Sequence, residues 1–477
     1  MGKRPKNLIL PSLIVSDAAA QGKSVAHAED GRTVLISGAV PGDVVDARVI
    51  KKKSRYYEAT VERLIEPSYK RVEPPCKHFG VCGGCKWQNM DYKWQIHYKE
   101  NEVVNNIRRI GGVSPEVILP IKGCSEQYFY RNKMEFSFAA RRWYTREEIE
   151  TRGELEDEVG LGFHIQGRWD KVLDIEKCHL QKDPSNAIRN HIRTYAIENG
   201  ISFFDPREKK GLLRTMMIRT SYSTGEVMLL IQFFYEDRKV REDMLENIKE
   251  TFPEITSLLY SINGGANDSL YELDIKTYHG KDHIYEEMEG LRFKIGPKSF
   301  YQTNSHQAYE LYSTVRDFAG LTGSENVYDL YTGTGTISQF VSRNARSVVG
   351  VEAVEEAIIA ARLNAQINGI KNCTYLVGDM KDVFDDAFVE KYGNPDVVIT
   401  DPPRDGMHKD VVEMLLQLKA PRIVYVSCNS ATQARDLALM KDMYRVEKMQ
   451  AVDMFPQTFH VENVALLTLI DNDKKDE

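Results

Sequence analysis

Nowhere does this chain carry the run of about 18–20 apolar residues that crossing a bilayer requires. Its most apolar stretch, VMLLIQFFY from Val227 to Tyr235, is far shorter and is patterned as a strand. The start, MGKRPKNLILPSL, is basic but has neither a sustained apolar core nor a small-residue cleavage site, so the expectation is a cytoplasmic protein without a secretory leader. A uniformly basic surface is also lacking, because the formal net charge is −7. That excludes a chain holding nucleic acid by bulk charge alone. The cysteines do not come in an even number; there are seven, which speaks against a disulfide framework. Internal repeats and low-complexity tracts are missing too, which removes solenoids and disordered tails. With 477 residues, 42% hydrophobic and 28% charged, the chain has the composition of several packed domains.

What is present is unevenly spread. Residues 1–150 hold 25 Lys/Arg against 18 Asp/Glu, a net of +7, so the remainder sums to −14. If a polyanion is bound, the amino-terminal third is its anchor; the same excess also fits an ordinary solvated surface. Leu8 to Glu66 alternates apolar and polar positions between the turn signals EDG and VPGD, as in a small barrel of the oligonucleotide-binding kind. Within it, KKKSRYY (Lys51–Tyr57) joins charge to aromatic rings, as a base-stacking groove does and as a solvated hairpin does. Asp91–Gly112 sets Trp94, Tyr98, Val103, Ile107 and Ile110 at helical spacing, with Gly111 as a stop. A mixed α+β region follows to about Gly290, with an acidic stretch, Thr145–Gly160, expected as an exposed hairpin tip or loop. From about Asn326, strands alternate with helical patterns, which predicts a mostly parallel, doubly wound sheet. The expected units are 1–68, 69–290 and 291–477, with the helix 91–112 packing on the last.

In such sheets ligands lie beyond the carboxyl ends of the strands. DLYTGTGTIS (Asp329–Ser338) is a strand into a glycine turn at Gly333 and Gly335; it is not a full GxGxxG, so a dinucleotide is not favoured. The next strand ends at Glu352, where a carboxylate accepts ribose hydroxyls. Asp379 in VGDM ends the third, and Asp401 begins DPPRDG, whose two prolines fix a rigid turn. Polar strand ends at successive units fit S-adenosylmethionine (SAM) better than NAD, although each carboxylate is also explained as a cap of the helix behind it. Arg404 follows the prolines where amino-directed base methylases carry a stacking ring, which points to a different attack geometry. The strand IVYVS stops on Cys428. Alone, such a thiol is packing. Beside a methyl donor it has a use, because C5 of uracil is a weak nucleophile until a thiolate adds to C6, and a base must then remove the C5 proton. FPQTFHVENVALL (Phe455–Leu467) offers His460 and Glu462 for that step. Ser427 and Asn429 beside the thiol give room and hydrogen bonds for an everted base.

PPCKHFGVCGGCKWQNM places Cys76, Cys82 and Cys85 as C-x5-C-x2-C, and Cys178 lies 93 residues beyond Cys85. Four thiols suit a zinc ion or a [4Fe–4S] cluster, and spacing does not choose. Cys124 and Cys373 match no motif and are expected in the core.

Taken in order, GPKSFYQTN, DLYTGTGTIS, TDPPRDGM, VSCNSATQARDL and DMFPQTFHVENVALL resemble the motifs of SAM-dependent RNA (uracil-C5) methyltransferases. With the amino-terminal part, the resemblance spans nearly the whole chain. It implies a Rossmann-like catalytic domain with Cys428 as nucleophile and Glu462 as base. Gln302, Tyr331, Gly333, Glu352, Asp379 and Asp401 would contact SAM or shape its pocket. The cysteine pattern followed by Trp87-Gln88, and AAQGKSVAHAEDGRTVLISGAVPGDVV, resemble the iron–sulfur branch of that family, which carries a TRAM barrel in front. This implies a [4Fe–4S] cluster on Cys76, Cys82, Cys85 and Cys178, structural or RNA-positioning, in a central α+β domain. It also implies 23S rRNA as substrate, with no membrane and no obligate protein partner. A tRNA uridine is the enzymatic alternative, and a non-catalytic RNA-binding or ribosome-assembly protein the alternative of another class. Two departures stand out: Ser430 replaces the usual proline after SCN, and Thr332 stands where the first turn commonly has cysteine.

Overall fold

The computed structural model describes residues 8–153 and 155–470. Three large sheets organise them. The first has six strands in the order Ile9–Ile14, Val44–Lys52, Tyr56–Glu66, Thr33–Ser37, Lys23–His27, Asp17–Ala19. Alternate residues such as Val34, Ile36, Val45, Ala47 and Ala59 fill its interior, as period-two patterning dictates. Tyr57 joins them: it is 3% exposed, donates to Asp30 at 2.9 Å and has the Arg32 guanidinium 4.6 Å over its ring. It is a core residue of the barrel, not a stacking platform.

The second sheet has eight strands and runs through the middle of the chain. Its strand Val227–Phe233 is buried at every position. Helices Ser185–Glu198 and Arg238–Thr251 cover one face, and the other packs Met228 and Leu230 into a core shared with carboxyl-terminal residues. Burial on both faces explains why this strand reads as a continuous apolar run. The acidic stretch contains a helix, Arg146–Arg152, where a hairpin tip or loop was expected. A reciprocal capping box between Thr145 and Glu148 starts it, a signal present in the sequence as T-x-x-E.

The third sheet orders its strands Cys373–Val377, Ser347–Glu352, Asn326–Leu330, Val397–Thr400, Arg422–Ser427, Glu462–Leu469, Tyr444–Val452, Val117–Lys122. The first five are parallel; Glu462–Leu469 returns antiparallel. Strand order reverses beside Asn326–Leu330, which opens a crevice at the carboxyl ends. The last edge strand, Val117–Lys122, comes from well before residue 291. Among the described residues no helix is long and apolar enough to cross a membrane.

The helix Tyr92–Arg109 joins the cysteine loop to this sheet. Val103 and Ile107 bury against its core. Gly111 allows the close approach behind it, since a Cβ there would sit 2.5 Å from the Ile107 carbonyl and 3.1 Å from that of Ala434. Lys99 and Asp453 form an ion pair at 2.6 Å in which both side chains are 0% exposed. Tyr92 also donates to Asp453 at 2.8 Å, and Lys99 to the Phe455 carbonyl at 3.1 Å. Removing one partner strands a buried charge. Lys99→Met is therefore expected to cost about 3–5 kcal/mol in urea unfolding, with Lys99→Met/Asp453→Leu recovering much of it. Equal losses in the single and double variants would show that the pair is not what stabilises this junction.

Candidate active site

Register brings the two reactive side chains together. Ser427 pairs with Asn463 across antiparallel strands, so Cys428, one residue on, comes level with Glu462, one residue back. Asp401 follows Thr400, whose parallel partner is Tyr425 on the same thiol-bearing strand. Glu462 is 7% exposed, whereas Cys428 and Asp401 keep part of their surface open. Burial, then the charge of Asp401, pushes the Glu462 carboxyl up to about 8, with Arg404 opposing. Burial, then Asp329, raises Asp401 to about 7. Burial, then Glu462 and Asp401, raises the Cys428 thiol to about 11, again against Arg404. The Arg404 guanidinium lies 3.3 Å from His460 Nδ1. Burial and that cation push His460 down to about 4, so it is neutral at pH 7. Of the two bases suggested by the sequence, Glu462 is the one level with the thiol.

The crevice beside them is built on the glycine turn. Gly335 has φ +74°, and a Cβ there would lie 2.9 Å from both Ala361 Cβ and Tyr375 Oη. A Cβ on Gly333 would meet nothing within 4 Å, so its backbone borders open space. Gly333 N–H donates to Glu352 at 3.2 Å, and Val354 N–H donates to the other carboxylate oxygen at 3.0 Å. Tyr331, at φ +61°, has its hydroxyl pushed up to about 12 by burial and by the nearby charges of Asp379, Asp436 and Glu352. Tyr331, Glu352 and Asp379 therefore share one neighbourhood. Asp379 also caps the short helix behind it, accepting from Lys381 N–H at 3.2 Å. Gln302 is fixed through its carbonyl, which accepts from Asn132 at 2.8 Å. Thr332 does what a cysteine in that place does poorly: its hydroxyl bridges Asp329 at 2.6 Å and Ser338 at 2.7 Å.

The loop behind the thiol is tied by side chains. Asn429 accepts from Ala431 N–H at 3.1 Å and donates to the Arg404 carbonyl at 3.1 Å. The Ser427 hydroxyl is engaged with the Asn429 backbone. These two residues shape the loop. Ser430 accepts from Asn106 at 2.9 Å, so a hydrogen bond to the helix Tyr92–Arg109 restrains the position where proline is usual. Sequence reasoning missed Asp436, which accepts from Tyr425 at 2.6 Å and from Met407 N–H at 2.9 Å and so fixes the end of the DPPRDGM loop. Its only signal was a lone acid inside a helix.

Cys428, Arg404 and His460 open on a groove of about 1170 Å³, bounded also by the barrel turn Asp17–Lys23 and the helix Tyr92–Arg109. Cys76, Cys82, Cys85 and Cys178 line a second cavity of about 490 Å³, all as free thiols. Burial pushes Cys82 up to about 11, Cys85 up to about 12, and Cys178 upward. The charges of Arg189 and Arg131 act on Cys178 in the opposite direction. Among the described residues no three His, Cys, Asp or Glu are arranged to hold a single metal ion. A zinc ion needs sulfurs gathered at about 2.3 Å from one centre. Four thiols lining one chamber are a donor set of the kind that a zinc ion or a [4Fe–4S] cluster takes. Cys124 is buried and Cys373 half-buried, both outside this cavity.

Comparison with known proteins gives consistent matches. The sequence model of the family described as tRNA (uracil-5-)-methyltransferase matches residues 221–470, and that of the TRAM domain residues 13–61. A chain from Bacteroides thetaiotaomicron, described as an uncharacterized RNA methyltransferase, is 54% identical over 94% of this chain and 100% of its own length. One from Porphyromonas gingivalis with the same description is 50% identical over 95% of this chain and 98% of its own. Among solved structures, the tRNA (uracil-54, C5)-methyltransferase of Pyrococcus abyssi in complex with S-adenosyl-L-homocysteine aligns with a TM-score of 0.73 and 27% identity, covering 95% of this chain and 99% of that one.

The electrostatics of the site are testable without substrate. Alkylation of Cys428, followed by peptide mass spectrometry across a pH series, should shift to lower pH in Glu462→Gln and to higher pH in Arg404→Gln. Identical profiles in all three proteins would remove the charge coupling described above.

Proposed function

The chain belongs to the tRNA (uracil-5-)-methyltransferase family, with a TRAM domain in front of a mixed α/β SAM methyltransferase fold, and from that premise we propose that it methylates C5 of an RNA uridine through a covalent adduct on Cys428. The observation that carries the proposal is the register: thiol and carboxyl stand level at the ends of two neighbouring strands, and the thiol opens on the groove. The Cys428 thiolate adds to C6 of the uracil, and C5 becomes enolate-like. C5 then attacks the methyl carbon, whose bond to the sulfonium sulfur breaks with its electron pair. Glu462 takes the C5 proton, the C5=C6 bond re-forms, and the thiolate leaves. A carboxyl with its pKa raised to about 8 is a stronger base than an ordinary glutamate. A cationic cosubstrate in the crevice favours the ionised forms of Asp401 and Glu462. Gln302, Tyr331, Gly333, Glu352, Asp379 and Asp401 are assigned to the SAM site. Arg404 offsets the carboxylates around the thiol.

In this reading residues 1–68 grip RNA, 69–290 carry a [4Fe–4S] cluster on Cys76, Cys82, Cys85 and Cys178, and 291–477 catalyse, in the cytoplasm. When bound, the cluster supplies a rigid cross-link and no redox step, because methyl transfer moves no net electrons between protein and substrate. For the RNA we favour 23S rRNA, on the combination of TRAM barrel and cysteine loop. A tRNA uridine is the second reading, favoured by the Pyrococcus abyssi enzyme, which acts on tRNA and matches over almost its whole length.

Incubation with SAM and unmodified 23S rRNA or tRNA transcripts, followed by nucleoside mass spectrometry, should show C5-methyluridine in one of them. Absence of product on both would sink the proposal. Cys428→Ala should abolish turnover while SAM binding persists, and Glu462→Gln should accumulate a protein–RNA adduct resolved on denaturing gels. After anaerobic purification, iron and acid-labile sulfide should be present; stoichiometric zinc without sulfide would overturn the cluster.

A further inference from the structure

The mechanism leaves one face of the groove without a task. Tyr98, Asn101, Glu102, Asn105, Asn106 and Arg109 recur at three- and four-residue spacing along one side of the helix Tyr92–Arg109. All six line the groove into which Cys428 and Arg404 also open. Some are engaged within the protein: Tyr98 with Lys70 at 2.7 Å, Asn101 with His97 at 3.0 Å, and Asn106 with Ser430 at 2.9 Å. The side chains of Glu102, Asn105 and Arg109 hold no hydrogen bond or ion pair among the described residues. Asn105 and Arg109 are exposed, and Glu102 is half-buried, its carboxyl pushed up by burial against the opposing charge of Lys99.

We propose that this helix face reads a nucleotide flanking the target uridine, with Asn105 and Glu102 bonding a base edge and Arg109 a phosphate. The inference rests on the reading that an RNA uridine enters at Cys428. Three observations point to this occupant. The face is continuous with the candidate active site through one groove, and the barrel turn Asp17–Lys23 forms part of the same lining. Its chemistry suits nucleobases: an amide presents a donor and an acceptor side by side, as a base edge does, and a carboxylate accepts from an exocyclic amine. A protein partner would want an apolar or aromatic centre, and the free groups here are an amide, a carboxyl and a guanidinium. Everting the uridine unstacks its neighbours, which exposes their edges to such groups.

The test uses the full-length protein and short single-stranded RNAs with a central uridine and every combination of flanking nucleotides. Methylation kcat/KM and competitive RNA binding are measured for wild type, Asn105→Ala, Glu102→Gln and Arg109→Gln, with SAM affinity as the control for folding. Wild type should prefer particular flanks. Asn105→Ala and Glu102→Gln should narrow the best-to-worst ratio by about tenfold, leaving SAM affinity unchanged. Arg109→Gln should weaken every RNA alike and lower the salt slope by about one. A flank ratio that survives both Asn105→Ala and Glu102→Gln, or a wild type indifferent to its flanks, overturns the inference. Flank-selective binding that the variants lose, without methylation of any RNA, supports it while refuting the catalytic reading. Methylation with an unchanged ratio does the reverse.

Discussion

The geometry of the site depends on a buried charge pair, Lys99 with Asp453. Lys99 and Asp453 are both shut from solvent, and burial alone would drive the lysine towards neutrality. Each is tolerable only because the other is there. Asp453 lies just beyond the strand Tyr444–Val452, where the chain leaves the sheet, and Glu462 is where it returns. The segment between is not free to choose its path. Lys99 holds Asp453 and the Phe455 carbonyl, Tyr130 holds the Pro456 carbonyl at 3.0 Å, and Gln95 holds Gln457 from both ends of its amide. A one-residue slip on return would turn Glu462 to the other face of the sheet. The helix Tyr92–Arg109 thus fixes the register that brings Glu462 and Cys428 level.

The site itself is electrostatically costly. Three carboxyls, Asp329, Asp401 and Glu462, stand at raised values of about 6, 7 and 8, with burial the first cause each time. A raised folded-state pKa means that the unfolded chain ionises first. The stability these groups lend is intact below their ordinary range near 4 and falls as pH rises towards 8. At neutral pH the fold is therefore less stable than it would be with ordinary carboxyls there. In the proposed reaction, what is gained is a crevice whose charge would complement a sulfonium and a carboxyl more basic than an ordinary glutamate. Arg404 is the moderating element, since it lowers the thiol and the glutamate together and adds to the burial that keeps His460 neutral.

Much of this was legible because it is local. The glycine turn, the strand ending on Cys428 and the late FHVE are contiguous stretches whose pattern states both structure and chemistry. The family and the TRAM domain followed from them, and the matched residues 221–470 and 13–61 agree. What was not legible is pairing at a distance. Lys99 and Asp453 are 354 positions apart, and nothing near either residue announces the other. Tyr57 looked like a stacking ring because exposure cannot be read from a basic run; its partner Asp30 lies on another turn of the barrel. The helix Arg146–Arg152 was overlooked because acidity outweighed its capping box. Ser430 stood out as a departure from the usual proline, and only the structure supplies its partner, Asn106.

The cysteine loop links these themes. Phe79, Cys82 and Cys85 line both the thiol chamber and the groove, so this loop is the wall between them. Its backbone is bonded to the segment before Glu462, for Lys86 N–H and Trp87 N–H both donate to the Gln457 carbonyl, at 2.9 and 3.0 Å. Gln95 closes the circuit by donating to the Trp87 and Met90 carbonyls as well as to Gln457. A group cross-linking the four thiols would stiffen a loop that is already one mechanical unit with the residues leading to His460 and Glu462. In the proposed reaction a cluster there would have a purpose without any redox step. It would restrain the wall of the groove and, through Gln457, the segment that leads to Glu462.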